Sequence, residues 1–490
     1  MEIHAFVRHL GPWALGKGAL QRKLAHAIMS AIRNGTVLPG VRLPSERNLA
    51  AALKVSRTTV VAAYDALRES GWAESRLGSG TWISERSRDV AAARDSAHAA
   101  ATASSSLLGL LAHGDGEDLL DLALGSPMPL RELSLDLFTL PPDEYSALVR
   151  DRHYYPLGLP VLREAIAAYY VKAGLSTNAQ QILVTNGAQH AISLCADLFL
   201  QRGDAALVED PAYFGALDAF RAAGARVFSL PVEVNGVRPA VLRDRITAMA
   251  ARLVYLTPTY QNPTGALMPA GARKEVARIA GEFGVPIIDD GTLAELVLEG
   301  GAPSPIAAYA PSGAPVISIG SLSKLVWPGL RIGWVRAPEP TIERLARLKS
   351  AVDLGCPLVT QAIAVRLLAA MDETRRLRRL QLQPRRDLLA DLLHDQLPDW
   401  RFHLPSGGLF FWIRLPHGDS REFAQVALRH RLAILPGPVM SAAEQYSEFF
   451  RLPFLAEPEE LRTAVRRLAA AWRDFQSADR HGSRQALATV

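Results

Sequence analysis

The chain has 490 residues, 49% of them hydrophobic and 21% charged, so its length predicts more than one domain and its composition excludes disordered and fibrous proteins. Its best apolar stretch, residues 351–371, contains Asp353 and Arg366, and we therefore predict no membrane span. Cys195 and Cys356 are too far apart in sequence for a metal or redox motif. This cysteine usage is typical of a protein in the reducing cytoplasm.

The positive charge is concentrated near the N-terminus. The formal net charge is +5, and residues 8–88 alone hold 13 Lys and Arg against 5 Asp and Glu. Such a local excess suits a polyanion such as DNA, although a solvated basic face would give the same count. The charge alone leaves both interpretations open.

Residues 1–84 are predicted to form the first domain. Apolar residues recur every four positions from Leu20 to Ile32, which indicates an amphipathic helix. Ser45 and Ser56 are suited to cap two further helices, and together these helices make a helix-turn-helix. Two short strands within residues 73–83, joined by a glycine-rich turn, complete a winged fold.

The third helix has one apolar side and one polar end. Val60, Tyr64 and Leu67 share the side that is predicted to be buried, which leaves residues 57–59 exposed at the N-terminal end. In a helix-turn-helix this end enters the major groove, where Arg bonds guanine edges and Ser or Thr bonds phosphates or bases. The alternative is that the hydroxyls only cap helices and that Arg57 is a solvated charge.

Several short motifs of this domain resemble the GntR-type winged helix. They are Leu38-Pro39-Gly40, Leu43-Pro44-Ser45-Glu46-Arg47, Val55-Ser56-Arg57-Thr58-Thr59-Val60 and Gly78-Ser79-Gly80-Thr81. The resemblance implies binding to double-stranded DNA through Arg47, Ser56, Arg57, Thr58, Thr59 and Gly78.

The rest of the chain divides by composition into three parts. Residues 85–118 are rich in Ala and Ser and are predicted to be a linker, and residues 479–490 a flexible tail. Between them, residues 119–478 alternate apolar strand-like runs with helical stretches. This alternation predicts an α/β domain with a mostly parallel sheet.

Polar residues follow several of the predicted strands. Lys324 follows the run from Val316 to Gly320 and is flanked by Ser321 and Ser323, and Arg331 comes seven residues later. The two hydroxyls and the guanidinium are suited to bind a phosphate, and the lysine amine to act as a nucleophile.

Further candidates follow neighbouring strands. Asp290 is placed to hold a charged ligand in the crevice at the carboxyl ends of the strands, and Asn262 can donate through its amide. Gly187-Ala188-Gln189 opens a helix whose free N–H groups favour an anion. Tyr213 can stack on a ring. Each residue also has a plain interpretation, as a surface acid, a turn residue or part of the core.

In kind and order these positions resemble the fold-type I aminotransferases, over residues 119–475. The resemblance implies a mostly parallel central sheet with a smaller α+β subdomain, and pyridoxal 5'-phosphate (PLP) as cofactor. It assigns cofactor contacts to Lys324, Asp290, Asn262, Tyr213, Gly187, Ala188, Gln189, Ser321, Ser323 and Arg331.

Three further positions bear on activity. Arg451 matches the arginine that binds the α-carboxylate of the substrate. Tyr154-Tyr155 matches a segment whose tyrosine reaches the phosphate of the partner subunit; the spacing does not decide between the two, and we take Tyr154. Leu293 departs from the family, which commonly has a tyrosine there, and this change predicts weakened transamination.

A GntR-type winged helix followed by a linker and an aminotransferase-like domain resembles the MocR subfamily of transcription regulators. The resemblance implies a homodimer that binds operator half-sites. Our hypothesis is that PLP or an amino compound acts as a signal by forming or replacing an aldimine at Lys324. One alternative is a working aminotransferase that carries a regulatory DNA-binding domain. Another is a regulator that has kept the fold and lost the cofactor.

Overall fold

The structure is a computed structural model of the chain, and each of its two compact units is described by itself. It describes residues 3, 6–7, 10, 13, 20–33, 37, 40–69, 72–76, 80–84 and 118–487. The first unit comprises residues 1–121, 417–434 and 464–490, and the second comprises residues 122–416 and 435–463. This division differs from the predicted one, because two C-terminal segments belong to the first unit. The predicted linker, apart from residue 118, lies outside the described residues.

The regular elements alternate along most of the chain. The helices are α1 (Leu20–Arg33), α2 (Glu46–Leu53), α3 (Arg57–Glu69), α4 (Pro142–Arg150), α5 (Pro160–Lys172), α6 (Ala188–Phe199), α7 (Phe214–Ala222), α8 (Pro239–Met249), α9 (Ala270–Phe283), α10 (Glu339–Val352), α11 (Leu358–Ala369), α12 (Met371–Gln396), α13 (Ser420–Arg429) and α14 (Pro458–Leu487). The strands are β1 (Ala73–Arg76), β2 (Gly80–Ile83), β3 (Leu120–Asp121), β4 (Ile182–Thr185), β5 (Ala205–Asp210), β6 (Arg226–Pro231), β7 (Leu253–Leu256), β8 (Ile287–Asp290), β9 (Val316–Ser321), β10 (Gly333–Arg336), β11 (Phe410–Arg414), β12 (Leu432–Ala433), β13 (Leu435–Pro436) and β14 (Phe449–Pro453).

The first unit contains the predicted winged helix-turn-helix. Ser45 caps α2 by accepting a hydrogen bond from the backbone N–H of Asn48 over 3.2 Å, and α2 ends where Lys54 adopts a left-handed conformation. The predicted inner side of α3 is buried, and its Tyr64 hydroxyl donates to the carbonyl oxygen of Pro44 over 2.8 Å. The predicted helix-turn-helix is therefore confirmed, with local caps that set where its helices begin and end.

The wing is an antiparallel pair, β1 and β2. Thr81 on β2 accepts a backbone hydrogen bond from Leu43 over 2.9 Å, and its hydroxyl accepts one from Arg68 of α3 over 3.1 Å. These bonds tie the wing to the helices. Gly78, which was predicted to touch DNA, lies outside the described residues.

The second unit is built on a seven-stranded sheet in the order β4-β10-β9-β8-β7-β5-β6. The pairs from β9 through β6 are parallel, whereas β10 is antiparallel to both of its neighbours. The predicted fold class is confirmed, with a mixed sheet. Because the parallel strands end at the same edge, the polar residues at the ends of β5, β7, β8 and β9 meet there.

The C-terminal part of the chain adds smaller elements to both units. In the second unit β11, β14 and β13 form an antiparallel sheet. In the first unit β12 pairs in parallel with β3. Helix α14 continues to Leu487, where the sequence predicted a tail from residue 479. Among the described residues no helix is both long and apolar enough to cross a membrane.

Candidate functional site

Lys324 lies three residues after the end of β9, in the turn that leads to a short 3-10 helix, Pro328–Leu330. Its Nζ donates a hydrogen bond to the carbonyl oxygen of Gly125 over 2.5 Å. Burial, and next the positive charge of Arg451, lower the pKa of Lys324 to about 8, against the opposing charge of Asp290. A larger share of this amine is therefore unprotonated near neutral pH than in an exposed lysine, and the unprotonated form is the nucleophile.

Asp290 is the last residue of β8, and its carboxylate is buried. The hydroxyl of Tyr255, on the adjacent strand β7, donates to Oδ2 over 2.5 Å, and the backbone N–H of Thr292 donates to Oδ1 over 3.0 Å. Burial raises the pKa of Asp290, and these two bonds oppose the rise. The neighbouring Asp289 instead accepts from the backbone N–H of Ile306 over 2.8 Å. Of the acidic pair, Asp290 is thus the residue whose charge acts on Lys324.

Gly187 stands at the start of α6 and forms a cradle with Arg331. Its backbone has φ 89° and ψ 171°, and a Cβ atom there would lie 2.8 Å from Nη2 of Arg331. The same Nη2 donates to the carbonyl oxygen of Asn186 over 2.7 Å. The first N–H groups of α6, from Ala188 onward, have no partner within the helix, so they and the guanidinium favour an anion.

Gln189 lies in the first turn of α6. Its Nε2 donates to the carbonyl oxygen of Gly215 over 2.8 Å. Its buried Oε1 has no hydrogen-bond partner among the described residues. Gln189 can therefore contribute to an anion site through its backbone N–H, one of the first N–H groups of the helix.

Ser321 and Ser323, on either side of the lysine turn, are both buried. Ser321 Oγ lies 3.0 Å from Ser323 Oγ and 2.9 Å from the carbonyl oxygen of Ile332, and it accepts the backbone N–H of Ser323 over 3.1 Å. The hydroxyls expected to bind phosphate thus also hold the shape of the turn that carries Lys324.

Arg451 lies on β14 and is buried. Its Nη1 donates to Oδ1 of Asn262 over 3.0 Å and its Nη2 to the carbonyl oxygen of Ala123 over 2.6 Å. The guanidinium lies 4.1 Å from the centre of the Phe410 ring. Asn262 and Arg451 are therefore joined, and the charge of Arg451 also reaches Lys324.

The tyrosines selected from the sequence differ in position. Tyr213 precedes α7, and burial, with the charge of Asp290, raises its pKa to about 12. Tyr154 is 70% exposed, and among the described residues no contact joins its ring to the residues above. The hydroxyl of Tyr155 donates to Asp151 over 2.7 Å. The structure thus brings Tyr213 into the site and leaves Tyr154 at the surface.

At the position where the family commonly has a tyrosine, Leu293 is 2% exposed. It contributes no hydroxyl. The adjacent Thr292 bonds the Asp290 carboxylate instead. Thr292 therefore stabilises the Asp290 carboxylate and does not replace the missing tyrosine hydroxyl.

Tyr255 and Arg378 belong to this site although sequence reasoning missed both. Arg378 of α12 is buried and donates to the carbonyl oxygens of Leu325 and Val326, each over 2.9 Å, and to that of Met128 over 3.1 Å. Tyr255 was missed because it lies in the apolar sequence of β7. Arg378 was missed because an arginine in a helix rich in charged residues is usually exposed to solvent.

The exposed side of the winged helix-turn-helix carries the residues predicted to touch DNA. The Arg57 side chain is 71% exposed and lies 3.4 Å from Glu46, and Arg47 is also exposed. Ser56 Oγ accepts the backbone N–H of Thr59 over 3.1 Å and lies 2.7 Å from the hydroxyl of Thr58. Ser56 therefore caps α3, and Arg57 is exposed at the same end of the helix.

Comparison with known proteins identifies both parts of the chain. A family model described as aminotransferase class I and II matches residues 148–468, more than half of the chain. The chain belongs to this family. A second model, for bacterial regulatory proteins of the gntR family, matches residues 20–83. The chain is thus a transcription regulator with an aminotransferase-like domain, the combination found in the MocR subfamily.

Two transcription regulators match most of this chain. YdfD of Bacillus subtilis (strain 168), an uncharacterized HTH-type transcriptional regulator, is 29% identical over 475 residues, 93% of this chain and 97% of that protein. MocR of Rhizobium meliloti, a probable rhizopine catabolism regulatory protein, is 29% identical over 396 residues, 78% of each chain.

A solved structure resembles the second part of this regulator. It is LysN, the α-aminoadipate aminotransferase of Thermus thermophilus, complexed with N-(5'-phosphopyridoxyl)-L-leucine. The two chains are 28% identical, and they match with a TM-score of 0.67 over 76% of this chain and 96% of that one. PLP is the cofactor of the class I and II aminotransferases.

Proposed function

We propose that this regulator holds PLP at Lys324, and that an amino compound or PLP itself acts there as the signal that changes DNA binding. The observation that carries the proposal is the amine of Lys324, whose pKa is lowered to about 8 at the edge of the sheet where Asp290 and the Gly187 cradle also lie. When bound, PLP supplies an aldehyde carbon that reacts with an unprotonated primary amine.

The described residues fit this cofactor. The cradle is narrow, since even a Cβ on Gly187 would meet Arg331, and it offers the N–H groups and positive end of a helix to a phosphate. The buried carboxylate of Asp290 suits a protonated pyridine nitrogen, because opposite charge favours the protonated form. We assign the phosphate to Gly187, Ala188, Gln189, Ser321, Ser323 and Arg331, the ring to Asp290 and Tyr213, and its 3'-oxygen to Asn262.

Arg451 would bind a carboxylate of the effector. A guanidinium matches a carboxylate with two parallel hydrogen bonds, and this one lies within the electrostatic reach of Lys324. We therefore expect Arg451→Ala to weaken the response to amino acids far more than the response to amines that lack a carboxylate.

We also propose that the protein acts as a homodimer. Several large apolar side chains are exposed on the segments before and after Tyr154, and exposed apolar surface of this amount is typical of a protein interface. They include Leu135, Tyr145, Val149, Tyr154 and Val161. Two winged helices would then bind two operator half-sites, and binding to operator DNA implies a cytoplasmic protein.

The test uses the full-length protein and the DNA that flanks its gene. PLP uptake is followed by visible absorbance, and DNA affinity is measured with and without a panel of amino compounds. A coupling of about 1–3 kcal/mol would change DNA affinity by roughly 5- to 150-fold. Lys324→Ala should abolish both the absorbance and the response.

Lys274→Ala provides the matched control, because Lys274 is exposed on α9 of the same unit. It should behave like the wild type. A wild-type protein that takes up no PLP would contradict the proposal and favour a regulator that has lost the cofactor. A response that persists in Lys324→Ala would contradict the role of the amine.

A working aminotransferase is the second candidate, since Lys324 and Arg451 are both present in one site. The buried Leu293 argues against it. Turnover is measured with amino donors and 2-oxo acids. Sustained product formation at an ordinary enzyme rate of about 10 per second would favour the enzyme.

A further inference from the structure

Asp353 follows the C-terminal end of α10, and both of its carboxylate oxygens are bonded. Oδ1 accepts from Nζ of Lys349 over 2.7 Å and from the backbone N–H of Gly355 over 3.1 Å. Oδ2 accepts from the side-chain amide of Asn186 over 2.8 Å, and Nδ1 of His190 lies 3.8 Å away. Asp353 is therefore the centre of a polar cluster that adjoins the cradle.

Asn186, which directly precedes Gly187, is held from two sides. Its side-chain amide donates to Asp353, and its carbonyl oxygen accepts from Arg331 over 2.7 Å. The backbone N–H of Asn186 also donates to Nδ1 of His190 over 3.3 Å. The direction of the N–H groups at the start of α6 thus depends on these bonds to Asn186.

The negative charge of Asp353 is neutralised by the ammonium group of Lys349, 2.7 Å away. The side chain of Lys349 is 0% exposed and that of Asp353 is 17% exposed. A buried ammonium requires such a partner, and the pair leaves little net charge beside the phosphate site. Asp353 can therefore hold Asn186 without repelling a phosphate.

We infer that Asp353 is a positioning residue for the phosphate end of the cofactor site and that it acts through Asn186. This inference rests on the proposed function, because it requires the cradle to receive the phosphate of PLP. Losing the bond should misalign the cradle and leave the ring end of the site, at Asp290 and Lys324, unchanged.

The experiment compares the affinity of the full-length protein for PLP with its affinity for pyridoxal, which has the same ring and aldehyde and lacks the phosphate. In Asp353→Ala and in Asn186→Ala we expect the Kd for PLP to rise roughly tenfold, the usual effect of losing one hydrogen bond to a charged group. The Kd for pyridoxal should stay at its wild-type value. In the double variant the PLP effect should equal that of Asn186→Ala alone, because Asp353 acts through that amide.

Ser350→Ala is the control on the same helix, where the hydroxyl bonds the carbonyl oxygen of Ala346 over 2.7 Å. It should leave the ratio of the two affinities unchanged. Asn186→Ala keeps the ion pair between Lys349 and Asp353, so it carries the test if Asp353→Ala fails to fold.

The outcomes separate the two proposals. A wild-type protein that binds PLP, with variants whose affinity ratio does not change, overturns the positioning role alone. Equal loss of PLP and pyridoxal affinity in both variants also overturns it, since a general structural defect would act in this way. A wild-type protein that binds neither compound overturns the proposed function and this inference with it.

Discussion

Alanine at Gly187 should weaken PLP binding while the chain still folds. The backbone there has φ 89° and ψ 171°, a region that is populated almost only by glycine, where another residue costs about 1–3 kcal/mol. The added methyl group would also lie 2.8 Å from Nη2 of Arg331. Either the backbone at residue 187 or the guanidinium of Arg331 would have to move, and either shift would displace groups that are assigned to bind the phosphate.

The same range of about 1–3 kcal/mol corresponds to roughly 5- to 150-fold weaker binding of PLP. Equilibrium titration followed by visible absorbance measures it. Gly203→Ala is the matched control: Gly203 also has a positive φ, 92°, but a Cβ there would meet no atom within 4 Å. It should lower the free energy of unfolding and leave PLP affinity unchanged.

An unchanged Kd for PLP in Gly187→Ala, measured on protein that has folded, would refute the assignment of the phosphate to this cradle. Equal losses in Gly187→Ala and Gly203→Ala would refute it as well. The effect would then come from backbone strain in general.

Two further predictions concern Lys324 and the DNA-binding surface. The pKa of Lys324 is lowered from 10.5 to about 8, so between these pH values the unfolded chain binds a proton that the folded chain does not, and stability rises with pH. Lys324→Met should therefore stabilise the cofactor-free protein at pH 7, and urea unfolding should show this advantage shrinking from pH 8 to 10.5; a variant less stable than the wild type at pH 7 would contradict the burial of the amine. Arg57→Ala should cost about 1–3 kcal/mol of specific DNA binding and relax the preference at one base pair. Arg47→Ala should instead weaken binding to all sequences alike and reduce the salt dependence, and the reverse pattern in competition assays would exchange their roles.

The winged helix was predictable because its signals are local. Ser45 and Ser56 cap helices within three residues of themselves. The buried side of α3 follows from helical spacing alone. No long-range pairing was needed to place Arg57 at the exposed end.

In the second unit, the sequence predicted those site residues that lie at or just after the end of a strand. Asp290 ends β8 and Lys324 follows the end of the neighbouring parallel strand β9 by three residues, and such ends meet at one edge of a sheet. Tyr255 was not predictable, because its partner is set by the pairing of β7 with β8. Asp353 was noted only as a charge that interrupts an apolar stretch.

Burial could not be predicted for charged groups within helices. Arg378 lies among several arginines in α12, and nothing local separates it from those in solvent. Its three carbonyl acceptors come from two distant segments of the chain. The assignment of residues 417–434 to the first unit has the same origin, since pairs such as Leu120 with Leu432 join distant positions.

The short segment from Ala123 to Met128 is held by three cations through its carbonyl oxygens: Arg451 at Ala123, Lys324 at Gly125 and Arg378 at Met128. The protein's own backbone thus acts as an internal competitor for two of the groups assigned to an effector. An amino acid that binds both Arg451 and Lys324 has to displace these backbone carbonyl groups. Its measured binding free energy is therefore the difference between its own contacts and the backbone hydrogen bonds that are lost. Once they are displaced, Arg378 still holds the segment at Met128.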